Sequence, residues 1–456
     1  MSEQVLRRLR AVVGDEHVLT GTLVAGYDTD WTGRWRGRPL AVVRPGNTEE
    51  VREVVLACAA AGVPIVPQGG NTGLVGAAAP ADGEVVLSTR RLDAVGVADP
   101  VTGMIEAGAG ATLQRVQEVT RASGLEVAVD LASRGTATVG GVVATNAGGA
   151  RVVRAGTTRQ QVLGLEAVLA DGSVVTRMSG LPKDNVGYDL VQLLTGSEGT
   201  LGVVTRVLLR VTPRPAARAA ALVALDGVPA AVELLTALRA SVPGLDAVEF
   251  VTAEGVDLVL AAGRVPAPFR EPSPVHVLAE AVGPDADPLV EAIADAVAGV
   301  DGVRNAAVAV TEADRKRLWA LREAHTEVLA PLRPVKLDVA VPVPALATFV
   351  AQLPGVTAGA IGGAGGGRPV LFGHLAEGNV HVNVVEVPAD REDAVTDGVL
   401  RLVAAHDGSI SAEHGIGRAK RAWLHLGRSP ADIAAMRAVK ASLDPAGLLS
   451  PGRVLP

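Results

Sequence analysis

Short apolar runs that end in glycine alternate with amphipathic stretches through the first third of the chain. Leu40–Val43 predicts a strand, and Asn47-Thr48-Glu49-Glu50 opens an amphipathic helix to about Ala61 with Thr48 as its cap. Val63–Val66, Val85–Ser88 and Gly103–Ala107 predict further strands, and Thr112–Ser123 has the helical period until Ser123-Gly124 stops it. Three glycine-rich stretches punctuate this region: PQGGNTGLVGAA (67–78), TVGGVVATNAGGARVV (138–153) and TGSEGTLGVVT (195–205). The last leads into a strand at Val203–Val211.

Beyond it, VTPRPAARAA (211–220) carries two prolines and reads as a crossing between domains. Helices are predicted near Val228–Ala240, Asp287–Ala298 and Glu312–Leu329. Strands are predicted near Val275–Ala281, Val335–Val341, Val370–Phe372 and Val380–Val385. Without regular βαβ spacing, the second half reads as α+β. A chain of 456 residues is too long for one core, so two domains or more are expected.

Composition narrows the function classes. A net charge of −7 and only 4 Trp, 2 Tyr and 4 Phe oppose nucleic-acid binding, which needs a basic footprint and stacking rings. The single cysteine, Cys58, rules out an intramolecular disulfide, a Cys-ligated zinc and an iron–sulfur cluster. The N-terminus lacks the apolar run of a signal peptide, and no transmembrane segment is expected, so a cytoplasmic location follows.

A glycine-rich loop after a strand is usually a tight turn, but it also lets backbone amides approach phosphates. No P-loop motif is present, and Gly108-Ala109-Gly110 lacks the third glycine of a dinucleotide turn. In combination and order, the three stretches resemble the FAD-binding domain of flavoproteins of the vanillyl-alcohol-oxidase type. The resemblance implies two α+β subdomains holding an extended FAD. The contacts it implies are Gln68, Gly69, Gly70, Asn71, Thr72, Gly140, Gly141, Thr145, Asn146, Gly199, Gly202 and Val203. Relatives that attach flavin covalently through the first loop carry histidine directly after the two glycines. Asn71 stands there in this chain, so a dissociable FAD is implied.

The histidines make a second constellation. His374 and His381 flank LAEGNV, and a hairpin turning on Glu377-Gly378 would pair His374 with His381 on one face, with Asn383 on that face too. Glu413 could add a carboxylate, and two imidazoles with one carboxylate leave open positions on a divalent ion. A cross-strand histidine pair is more often only a hydrogen-bonded pair. GHLAEGNVHVNV, SAEHGIGRAK and LDPAGLLSPGRVLP, however, resemble the C-terminal domain of the D-2-hydroxyacid dehydrogenase branch of the same flavoproteins. That branch includes enzymes for D-lactate, D-2-hydroxyglutarate and glycolate.

The resemblance implies metal-assisted oxidation of a D-2-hydroxy acid by FAD. His374, His381 and Glu413 would hold zinc or manganese, and His414 would be the catalytic base. Arg322, Thr326, Lys336, Asn383 and His414 would bind substrate. Lys336, flanked by apolar residues, looks buried and in need of an anion. With several cations present, D-2-hydroxyglutarate leads over D-lactate and glycolate, whether for a dehydrogenase, an oxidase or a flavin subunit of a larger glycolate dehydrogenase. Two departures stand out: Ala376-Glu377-Gly378-Asn379 where relatives commonly have Gly-Asp-Gly-Asn, and Ser450 where they commonly have Asn.

The expected organisation is an N-terminal helical segment (1–35), an FAD-binding domain (36–213), a substrate and metal cap domain (214–430) and a C-terminal segment returning to the flavin (431–456). The expected partners are the small-molecule acid and an electron acceptor that the sequence does not identify. A homodimer is among the assemblies open to it.

Overall fold

The computed structural model describes residues 2–363 and 365–456; the Gly362–Gly367 run contains Ala364, which lies outside them. The chain forms two compact units. The first runs from the N-terminus to Gly148, resumes over Gly156–Arg214 and ends with Glu413–Pro456; the second comprises Gly149–Ala155 and Pro215–Ala412. The break at Arg214 falls within the proline-containing stretch read as a crossing.

In the first unit, Ala41–Val43, Val85–Ser88 and Ile65–Gln68 pair in parallel, with Val18–Leu19 antiparallel at one edge. A second four-stranded sheet, wholly antiparallel, runs Met104–Gly108, Val203–Arg210, Val162–Val168, Val174–Arg177. The helix Thr48–Ala61 buries Val51, Val54, Val55 and Cys58 at helical spacing. Its cap is Asn47, whose side chain accepts the Glu50 N–H at 2.9 Å. Thr48, the cap expected from the sequence, instead donates its hydroxyl to Glu166 at 2.6 Å. Burial drives the Cys58 thiol up to about 12, so it is an inert core residue.

The C-terminal segment joins this unit earlier than residue 431. The Glu198 carboxylate accepts the N–H groups of Ile416 and Gly417, both at 2.8 Å, and Arg453 forms a buried pair with Glu84 at 2.5 Å. These bonds fix both ends of the segment.

The second unit is built on one antiparallel sheet of seven strands. Their order is Val303–Ala309, Ala217–Leu225, Val275–Gly283, Leu245–Thr252, Arg368–His374, Asn379–Val385, Val335–Ala340. The helices Ala253–Ala261 and Glu312–Leu329 pack with Val251, Leu278 and Phe372 in one apolar cluster. Val343–Ala360 is long and apolar enough to cross a membrane by length and composition alone. Within it, Leu346, Phe349, Leu353 and Thr357 recur at helical spacing and are buried in this unit.

Candidate active site

The first two glycine-rich stretches of the first unit approach each other too closely for side chains. A Cβ on Gly69 would lie 2.1 Å from the Thr138 hydroxyl, and one on Gly70 would lie 2.1 Å from the Thr136 carbonyl oxygen. No side chain fits there. Asn71 and Asn146 both adopt left-handed backbone (φ 57° and 48°), which asparagine tolerates. The Asn71 side-chain amide donates to Thr29 O at 2.8 Å, and Asn146 Oδ1 accepts the Arg159 N–H at 2.9 Å. The loops are thus held by their own polar side chains.

Gln68 donates through Nε2 to Tyr27 O at 3.0 Å and to Ala78 O at 2.9 Å, while its buried Oε1 has no partner. Ser88 Oγ and Ser450 Oγ are likewise buried without partners. Ser450 lies in left-handed backbone (φ 46°) with its hydroxyl 3.5 Å from where a Gly199 Cβ would stand. Unmet buried polar atoms beside loops that exclude side chains fit FAD, a ligand rich in donors and acceptors. Thr72 borders the first loop half-buried, and the Thr145 hydroxyl donates to Gly141 O at 3.0 Å. Two other expected contacts have packing reasons: a Cβ on Gly140 would meet Ala109 at 2.6 Å, and Gly202 lies against Leu169 and Leu194. Val203 is buried in its strand.

Within the second unit, the hairpin between Arg368–His374 and Asn379–Val385 does not turn on two residues. Leu375–Glu377 form a single 3-10 turn and Gly378 takes φ 64°, so Phe372, not His374, is the partner of His381. The register is shifted by two. Because the side-chain period is also two, both imidazoles keep the face expected for them. Their ring centroids are 5.4 Å apart and nearly perpendicular.

That face carries more chemistry than the sequence disclosed. Glu249, on the neighbouring strand, is paired in register with His374 and accepts from its Nδ1 at 2.6 Å. Asp338 is paired with His381, with Oδ1 3.5 Å from the His381 Nδ1. Burial works to raise the Glu249 carboxyl, but the hydrogen bond from His374 and the charge of Arg322 are among the causes that outweigh it and hold the group below the usual carboxylate range. A proton on His374 Nδ1 leaves Nε2 as the ring's lone-pair nitrogen. Imidazoles braced by carboxylates in this way are the arrangement that suits a divalent metal.

Arg322 and Asn383 belong to the same unit. Arg322 donates from Nε to Glu249 at 2.7 Å and lies over the Phe372 ring at 4.5 Å. Its carboxylate partner is Glu249, on a strand of the sheet. Asn383 is buried and paired in register with Lys336. Lys336 itself is exposed, against the expectation of burial, near the start of the edge strand Val335–Ala340, although Asp338 on the same face is buried. Thr326 is also exposed. The buried residue of that helical turn is His325, which burial drives down to about 4 and so keeps neutral. Burial pushes the Glu377 carboxyl, in the hairpin turn, up to about 7.

Ser409 pairs with Ala340, and the Ala412 N–H donates to Asp338 O at 3.4 Å. Glu413 and His414 are the next residues along the chain, at the start of the segment that belongs to the first unit. There, a Cβ on Gly148 would lie 2.6 Å from Glu413 Oε1, so the second glycine loop and Glu413 are adjacent. His414 is half-buried two residues before the Ile416 amide that Glu198 holds.

Comparison with known proteins breaks the chain near the same residue, 214, but keeps the C-terminal segment with the second part. Residues 39–177 match the family described as FAD binding domain, and residues 214–454 match FAD linked oxidases, C-terminal domain. The D-2-hydroxyglutarate dehydrogenase of Xanthomonas citri pv. viticola is 39% identical over 437 residues, covering 94% of this chain and 92% of that protein. The mitochondrial D-2-hydroxyglutarate dehydrogenase of Bos taurus is 36% identical over 467 residues, covering 100% of this chain and 84% of that protein. A solved structure of p-cresol methylhydroxylase with substrate bound superposes with a TM-score of 0.79 at 18% identity, covering 99% of this chain and 96% of that one.

Proposed function

The chain belongs to the FAD-linked oxidase family, and from that premise we propose that it oxidises D-2-hydroxyglutarate to 2-oxoglutarate as an FAD-dependent dehydrogenase. The observation that carries the substrate is 39% identity over nearly the whole length of a D-2-hydroxyglutarate dehydrogenase. FAD is held by the loops around Gly69-Gly70, Thr145-Asn146 and Gly199, with Gln68 and Ser450 offering buried oxygens to it. We propose that His374, His381 and Glu413 hold a divalent ion, zinc or manganese. A cytoplasmic location is proposed from the sequence.

When bound, FAD supplies the acceptor for the C2 hydride and the ion supplies a Lewis acid for the hydroxyl. His414 takes the hydroxyl proton on an imidazole nitrogen, histidine being the side chain most often used for such transfer. Glu413 and His414 are consecutive, so in extended chain their side chains point apart and one can ligate while the other serves as base. Arg322, Lys336 and Asn383 bind and orient the two carboxylates, with Thr326 on the same helix as Arg322.

Two outcomes check this reading. Acid precipitation should release yellow FAD into the supernatant, since Asn71 replaces the histidine of covalent attachment; colour held in the pellet contradicts it. With an artificial electron acceptor, kcat/KM should be about 10- to 100-fold higher for D-2-hydroxyglutarate than for D-lactate, the worth of one further charge-assisted contact of about 1.5–3 kcal/mol. A higher value for D-lactate assigns the other substrate.

A further inference from the structure

We infer that Glu249 is a positioning residue that sets two functional side chains at once, the metal-facing edge of His374 and the reach of Arg322. The inference rests on the proposed role of His374 as a metal ligand. Strand register places Glu249 directly opposite His374, and the helix Glu312–Leu329 delivers Arg322 to the same carboxylate. The two donors use different oxygens: His374 Nδ1 is 2.6 Å from Oε1, and Arg322 Nε is 2.7 Å from Oε2. Glu249 is only 1% exposed, so water does not replace either bond.

The consequence for His374 is tautomeric. A carboxylate accepts only, so His374 must place its proton on Nδ1 and keep its lone pair on Nε2. For Arg322 the consequence is orientational. Its Nε edge is fixed by Glu249 and its plane by the Phe372 ring at 4.5 Å, and the same ring lies 5.1 Å from the His381 ring. One anion and one aromatic ring therefore orient both histidines and the arginine. Replacing Glu249 by glutamine keeps the volume but leaves one oxygen for two donors. The new NH2 must then face either the imidazole or the guanidinium. Facing the imidazole, it accommodates only an unprotonated Nδ1, which moves the proton to Nε2 and removes the lone pair that a metal would use.

The test is zinc affinity of the purified FAD-loaded enzyme, measured by competition with a chromophoric chelator, together with FAD content and thermal melting. E249Q should bind zinc about 10- to 100-fold more weakly, the usual cost of removing a carboxylate behind a ligating histidine. It should retain FAD, and its KM for D-2-hydroxyglutarate should rise. E249D, which keeps the charge but shortens the reach, should fall between E249Q and wild type, and it reads the same quantity if E249Q does not fold. Zinc affinity within about twofold of wild type in the folded variants overturns the inference. A wild-type enzyme that takes up no zinc removes the metal reading itself, and that result is seen before any substitution is made.

Discussion

His381→Ala is expected to bind FAD as the wild type does while losing its divalent metal and at least about 100-fold in turnover. Deleting a ligand should cost more than the 10- to 100-fold typical of deleting the group behind one. The FAD loops belong to the first unit, whereas His381 lies in a strand of the second, next to Phe372 and paired in register with Asp338. After the change the Asp338 carboxylate keeps the Asn379 side-chain amide, which donates to Oδ1 at 2.9 Å. A stability loss of about 1–3 kcal/mol is the expected cost of weakening that buried polar group, within the margin of a folded enzyme. Elemental analysis and visible absorbance separate the two cofactors. Full activity in wild-type protein free of stoichiometric divalent metal contradicts the assignment.

The second large effect is expected at His414. If its imidazole takes the hydroxyl proton, His414→Ala should lower kcat by about 100- to 10,000-fold. FAD and metal should both remain, because neither proposed set uses this side chain as a ligand. The loop should also keep its place, since Glu198 holds it through the backbone amides of Ile416 and Gly417. An unchanged rate of flavin reduction in a single anaerobic turnover contradicts the assignment.

The parts of this site that were legible in the sequence are those fixed by local rules. Period two alone puts His374, His381 and Asn383 on one face of a hairpin, and it survives a register error of two because the period and the shift coincide. The turn was misread because Gly378 sits in left-handed backbone at the end of a 3-10 turn, where a Cβ would lie 2.0 Å from the Val341 carbonyl oxygen. That close approach comes from a distant segment, which no local pattern reports.

Other misreadings share this cause. Lys336 looked buried because its neighbours are apolar, yet it is exposed near the start of its strand while Asp338, on the same face, is buried. Glu249 was overlooked, although a carboxylate within Leu245–Thr252, a strand buried along its whole length, signals a partnered charge. Ala217–Ala220 was read as the tail of a crossing and the rest of the strand to Leu225 was not predicted; as an interior strand of the sheet buried over Ala219–Leu225 it has no alternation to betray it. The excursion at 149–155 is anchored by Arg154, whose guanidinium bonds the fully buried Asp246 at 2.5 Å. The pairing spans 92 residues, so the glycine stretch 138–153 reads locally as one loop.

The account turns on whether the protein's own FAD takes electrons from the proposed acid. Anaerobic mixing of purified enzyme with D-2-hydroxyglutarate should bleach the visible band of oxidised flavin, while L-2-hydroxyglutarate at the same concentration should leave it intact. No bleaching by the D enantiomer in metal-loaded enzyme, or equal bleaching by both, contradicts it.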